Sequence, residues 1–170
     1  MQRGKRAVIR EAALGDAEAF LCMQTALDKE TQYMMYEPGE RTGDIEPVNA
    51  MIKRSVAGDD LLLVAESGGD IVGYISAQRG TPRRIRHTAY VITGIRKAFR
   101  GQGIGSDFFA RLDAWARKSG VTRLELTLIC SNEAALRLYE KNGFAIEGTR
   151  KRSMFTGGDY ADEFYMAKLL

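Results

Sequence analysis

Arg100-Gly101-Gln102-Gly103-Ile104-Gly105-Ser106 decides how this chain is read. The run before it, Tyr90-Val91-Ile92-Thr93-Gly94-Ile95, is rich in strand-forming residues. The run after it, Asp107 to Lys118, has the apolar spacing of a helix. Glycine has no Cβ, so Gly101, Gly103 and Gly105 allow a tight turn and a close approach of backbone to a ligand. The first N–H groups of a helix have no intrahelical acceptor and stand at the positive end of its dipole. Strand, glycine loop and helix start together predict an anion site, most often one for phosphate.

Two common phosphate loops fit poorly. A nucleoside-triphosphate loop needs Gly-Lys-Ser/Thr at its end, and here Gly105 is followed by Ser106 and Asp107. A dinucleotide fingerprint beginning at Gly101 needs glycine or alanine where Ser106 stands. It also needs an acid at the end of the next strand, and that end reads Cys130-Ser131-Asn132. Glu125 lies at about the right distance but near the start of that strand.

What remains is Arg100-x-x-Gly103-x-Gly105 between strand and helix, followed at a distance by Asn132-Glu133-Ala134-Ala135-Leu136-Arg137-Leu138-Tyr139-Glu140-Lys141-Asn142-Gly143-Phe144. The first motif resembles the acetyl-CoA pyrophosphate loop of the GCN5-related N-acetyltransferase (GNAT) superfamily. The second resembles that family's Asn-x-x-Ala-x-x-Leu-Tyr-x-x-x-Gly-Phe segment. Order and spacing agree, with one helix and one strand between them. The resemblance extends from about Ala7 to Leu170 and is specific from Tyr90 to Phe144.

The resemblance implies one acetyl-CoA-dependent N-acetyltransferase domain over residues 1–170, with direct transfer in a ternary complex. It implies that Arg100, Gly101, Gln102, Gly103, Gly105 and Ser106 hold the pyrophosphate. Thr93, Gly94 and Ile95 would bind the pantetheine arm through backbone hydrogen bonds, as an added strand would. Asn132 would reach the same arm, and by its chemistry is also a good helix cap. A backbone N–H at about Ile95 would stabilise the charge that develops on the carbonyl oxygen. Tyr139, seven residues after Asn132 and on the same helix face, would protonate the departing CoA thiolate. The competing role for Tyr139 is packing against Leu136.

One departure concerns the base. Many relatives carry a glutamate at the position of Tyr90, and no acid occurs here from Thr81 to Gln102. Three sources remain: Glu125 on the next strand, Glu37 in Tyr33-Met34-Met35-Tyr36-Glu37, where family members shape the acceptor site, or a chain of waters. Glu37 is the preferred of these. The missing glutamate also motivates an alternative, a non-catalytic acyl-CoA-binding regulatory module.

Composition sets limits. A chain of 170 residues suits one domain with a real core. Hydrophobic residues are 45% and charged residues 28%, as in ordinary globular proteins. No apolar run reaches membrane-spanning length, and Met1-Gln2-Arg3-Gly4-Lys5-Arg6 is not followed by a signal-peptide core. Two cysteines, Cys22 and Cys130, are too few for a disulfide scaffold, which predicts a reduced, cytoplasmic protein. A lone histidine, His87, speaks against a histidine metal site, and none is expected.

The net charge of +3 does not imply nucleic acid, and aromatics are not interleaved with the arginines. Arg83, Arg84, Arg86, Arg96, Lys97 and Arg100 are expected to surround the phosphate loop. Asp28 to Glu46 carries six acids against Lys29 and Arg41, which predicts either a solvated face or an acidic mouth for a cationic amine. The acceptor is read as a small amine, a polyamine, or a protein N-terminus or lysine, with room for a homodimer and no membrane partner. Patterning along the chain predicts a mixed α/β fold: a mostly antiparallel sheet of about seven strands flanked by about four helices. Asp16 is expected to cap a helix to about Thr31, Pro47 to open another, and Ser67-Gly68-Gly69-Asp70 to close a hairpin.

Overall fold

Seven strands and four α-helices occur in a computed structural model, which describes residues 7–170. The stretch Met1 to Arg6 lies outside the described residues. In chain order the elements are β1 (Val8–Glu11), α1 (Ala17–Glu30), α2 (Glu46–Val56), β2 (Leu61–Ser67), β3 (Asp70–Arg79), β4 (Thr88–Ile95), α3 (Ile104–Ser119), β5 (Arg123–Ile129), α4 (Glu133–Lys141), β6 (Ala145–Thr156) and β7 (Asp159–Leu169). The sheet order is β1-β2-β3-β4-β5-β7-β6. Pairing is antiparallel at β1–β2, β2–β3, β5–β7 and β6–β7, and parallel at β4–β5, where α3 supplies the crossover that parallel neighbours require. This is the mixed, mostly antiparallel architecture the patterning predicts.

The chain divides into two compact units. One comprises residues 7–77 and 92–108. Its core joins Phe20, Met23 and Leu27 of α1, Val48 and Ile52 of α2, Leu62 and Val64 of β2, and Tyr74 of β3. Phe20 and Tyr74 meet edge to face at 5.0 Å. The two-residue turn between β2 and β3 has Gly68 and Gly69 at φ 66° and 94°, the left-handed values that a hairpin turn of this length requires. Pro47 sits in the first turn of α2 as expected.

Asp16 does not cap α1. Its carboxylate accepts from the Arg10 guanidinium at 2.6 and 3.0 Å and from the Ala13 N–H at 2.7 Å, closing a short turn ahead of the helix. A charged, two-pronged partner outcompetes the helix end for the same oxygens.

The other unit comprises residues 78–91 and 109–170. The β6–β7 hairpin runs from Ala145 to Leu169 around a Gly157-Gly158 turn. Register shifts between Arg150 and Met154, with Arg152 at φ 51°, break the period-two alternation of β6.

Candidate functional site

The glycine loop differs from expectation at its end. Helix α3 begins at Ile104, inside the motif, so Gly105 and Ser106 are helical residues of its first turn. The first helical hydrogen bond runs from the Asp107 N–H to the Gly103 carbonyl at 3.1 Å. The N–H groups of the preceding residues are therefore the ones left for an outside acceptor. Gly101 and Gly103 have φ of 73° and 84°, left-handed values that side-chain-bearing residues rarely adopt. A Cβ at either would meet nothing within 4 Å, so the demand there is conformational and the backbone is open to approach. This geometry fits a pyrophosphate.

The loop is braced from several sides. Arg100 Nε donates to the Ile95 carbonyl at 2.8 Å, and Gln102 Nε2 donates to the Ala98 carbonyl at 3.1 Å. Both side chains thus hold the loop itself. The Arg96 N–H donates to the Val72 carbonyl at 2.9 Å, and Arg96 Nε to Glu30 at 2.7 Å. Thr93 donates its hydroxyl to the Tyr74 carbonyl at 2.8 Å. Gly94 is crowded: a Cβ there would come within 2.8 Å of Leu27 Cδ1, 3.2 Å of Tyr74 and 3.7 Å of Met34. Met34 therefore carries the 31–37 segment close to Gly94.

Of the six basic residues, Arg83, Arg84 and Arg86 precede β4 in the chain, and Arg96, Lys97 and Arg100 follow it and lead into the glycine loop.

The acidic run is likewise divided. Asp28 is buried and held by Arg41, whose Nε and Nη2 reach its two oxygens at 2.5 and 3.3 Å. Arg41 also stacks over the Tyr36 ring at 4.4 Å. Glu30 is paired with Arg96. Two of the six acids are thus neutralised, and Glu37, Glu40, Asp44 and Glu46 remain at or near the surface. Glu37 is exposed and its N–H donates to the Glu40 carboxylate at 2.9 Å. The exposed apolar residues of this segment are Tyr33, Met35 and Tyr36.

In the other unit, Asn132 caps α4, its Oδ1 accepting the Ala135 N–H at 3.2 Å. The helix stops at Asn142-Gly143, where Gly143 has φ 88° and a Cβ would press to 3.3 Å from Lys168 Cε. That stop turns Phe144 back under the helix. Tyr139 is 8% exposed and meets Phe109 and Phe144 at ring separations of 5.7 and 6.0 Å. Its ring is a packing element, so the Gly-Phe of the motif serves to shape the bed on which Tyr139 lies.

Tyr90, at the place of the usual base, has its hydroxyl 2.8 Å from the Thr127 hydroxyl. Glu125 is bound by Arg123 Nε at 2.8 Å, and Arg123 also holds Glu147. Burial, followed by the charge of Glu125, pushes the neighbouring Tyr165 hydroxyl upward in pKa. Glu125 is therefore committed to an ion-pair network. Cys22 and Cys130 are free thiols, and burial raises the pKa of Cys130. Among the described residues there is no cluster of potential metal ligands, and no helix is long and apolar enough to cross a membrane.

The chain that carries this glycine loop and this capped helix is similar to known acetyltransferases. The acetyltransferase (GNAT) family model matches residues 26–144. The L-amino acid N-acetyltransferase AaaT of Escherichia coli is 33% identical over 111 residues, 63% of this chain and 67% of that protein. The N-alpha-acetyltransferase RimI of Mycobacterium tuberculosis is 36% identical over 105 residues, 61% of this chain and 63% of that protein. A crystal structure of a GNAT-family acetyltransferase from Streptococcus pneumoniae superposes with a TM-score of 0.90 at 28% identity, covering 96% of this chain and 99% of that one. The chain belongs to the acetyltransferase (GNAT) family, N-acetyltransferases that draw their acetyl group from acetyl-CoA.

Proposed function

We propose that this protein acetylates α-amino groups, of a peptide N-terminus or an amino acid, in preference to lysine-like amines. The observation that carries this is the Tyr90–Thr127 hydroxyl pair where a carboxylate base would stand. An amine must be neutral to attack a thioester. Near pH 7.5 an α-amine of pKa about 8 is neutral in roughly a quarter of molecules, a lysine amine of pKa about 10.4 in about one in a thousand. Without a strong base, that difference passes directly into rate. The names of the two relatives, an L-amino acid N-acetyltransferase and an N-alpha-acetyltransferase, support the reading.

In this reading residues 1–170 act as one cytoplasmic domain. Acetyl-CoA supplies the activated acetyl group. The amides from Gly101 to Ser106 and the free N–H groups of Arg100 hold its pyrophosphate. Gln102 braces the loop. Thr93, Gly94 and Ile95 align the pantetheine arm, and Asn132 has its side-chain amide N–H groups left for the same arm. Tyr139 returns a proton to the thiolate. Water takes the proton that the amine loses. Glu37 is the carboxylate of the second reading, favoured by its place in the segment that Met34 brings to Gly94.

The test is a pH profile of kcat/KM for two acceptors whose amine pKa values differ by about two units. The rising limb should follow the acceptor in each case. A limb at one fixed pH for both acceptors, abolished by Glu37→Gln, would replace this reading with a Glu37 base. CoA binding without turnover of any amine in a broad panel would favour the binding module instead.

A further inference from the structure

Glu30 is the last residue of α1, where the negative end of the helix dipole disfavours a carboxylate. Its position is nonetheless well defined. Oε1 accepts from Arg96 Nε at 2.7 Å, and Oε2 accepts from the Lys97 N–H at 2.8 Å. Both donors belong to the segment that leaves β4 and enters the glycine loop. The same segment is held by the Arg96 N–H on the Val72 carbonyl, by Arg100 Nε on the Ile95 carbonyl, and by the turn in which the Phe99 N–H reaches the Arg96 carbonyl at 2.9 Å. Of these contacts, those of Glu30 come from outside the sheet and the loop, and they are charge-assisted. Burial would raise the pKa of Glu30, but the Lys97 N–H, Arg96 and the nearby charge of Arg100 together lower it, so the carboxylate is ionised at neutral pH.

We propose that Glu30 is a positioning residue for acetyl-CoA: by gripping the Arg96 guanidinium and the Lys97 N–H together, it holds the segment from Ile95 to Gly103 in the shape that offers the loop amides to the pyrophosphate. The pairing also has an electrostatic effect. Arg96 is neutralised, so Lys97 and Arg100 are the cations of this segment that remain to attract phosphate. The inference rests on the acetyl-CoA reading of the loop, and it assigns Glu30 no contact with substrate.

Glu30→Gln keeps the shape and can still accept from Lys97, but it loses the charge and sets an amide N–H₂ against Arg96. CoA affinity, measured by calorimetry on the folded variant, should fall about ten-fold, the scale of one charge-assisted hydrogen bond. S-acetylpantetheine lacks the pyrophosphate, so its kcat/KM should change little. The KM for acetyl-CoA should rise while kcat at saturation holds. Arg96→Met should reproduce the effect, and the double variant should be no worse than either single one. An unchanged CoA affinity would overturn the inference, as would equal losses for CoA and S-acetylpantetheine, which would mark a general loosening of the fold. If Glu30→Gln does not fold, Arg96→Met decides by the same two measurements. Failure of the unaltered protein to bind CoA would instead remove the acetyl-CoA reading itself.

Discussion

The hydroxyls of Tyr90 on β4 and Thr127 on β5 lie 2.8 Å apart, each the other's partner. Two neutral hydroxyls are a poor substitute for a carboxylate, because a neutral hydroxyl is a far weaker proton acceptor than a carboxylate anion. Tyr90→Phe should therefore keep kcat/KM within a few-fold and cost about 1 kcal/mol of stability for the lost hydrogen bond. Steady-state kinetics beside a urea melt checks both. A hundred-fold loss of rate would make the hydroxyl pair a proton relay.

Tyr139→Phe keeps the ring in its contacts with Phe109 and Phe144. The variant should fold and bind acetyl-CoA nearly normally. Turnover should fall on the order of ten- to a thousand-fold if the hydroxyl donates a proton to the thiolate. Full activity with a verified acceptor would reduce Tyr139 to its packing role.

Gly103→Ala and Gly101→Ala add a Cβ that touches no neighbour, yet each must hold a left-handed backbone. That conformation costs a non-glycine residue about 1–2 kcal/mol. The melting temperature should drop modestly, and CoA affinity should drop further than stability, because the strained loop relaxes away from the shape that binds. Valine at Gly103 should abolish binding in a protein that still folds. A folded Gly103→Val variant with normal CoA affinity would remove the loop from the pyrophosphate.

Asp16 gives a pH signature. The Arg10 guanidinium holds its carboxyl below the ordinary range, against the opposing effect of burial and with help from the Ala13 N–H. A group depressed in the folded state stabilises above its unfolded pKa, about 3.9, and that contribution is lost as pH falls through the folded value. Asp16→Asn should lower the neutral-pH melting temperature by roughly a few degrees. The gap to the unaltered protein should close toward pH 3. A gap that stays constant from pH 7 to pH 3 would mean the pair contributes through shape and not charge.

Local chemistry was legible in the sequence. The Asn132 cap, the Gly68-Gly69 turn and Pro47 in its helix each depend on residues within a few positions of one another, and each occurs as read. Long-range pairing was not legible. Asp16 follows a helix-cap pattern, but Arg10 claims it. Asp28 reads as one acid of a run, yet it is buried against Arg41, thirteen residues on. Glu30 reads as another and is bound to a loop sixty-six residues away. The start of α3 inside the motif escaped because glycine is a poor helix former, and Gly105 is helical only because the loop feeds it into the first turn.

Sheet order departs from chain order at one place: β7 stands between β5 and β6, although it is made after both. On the ribosome, β5 is complete at Ile129, but the neighbour that pairs with its full length, from Arg123↔Leu169 to Ile129↔Glu163, emerges only later. Until then that edge of β5 is an open template for any other chain. Translation that stalls between Ile129 and Asp159 would leave a nascent chain with this edge bare. Fast elongation through β6, or a chaperone that shields the interval, would shorten the time for which this edge is exposed.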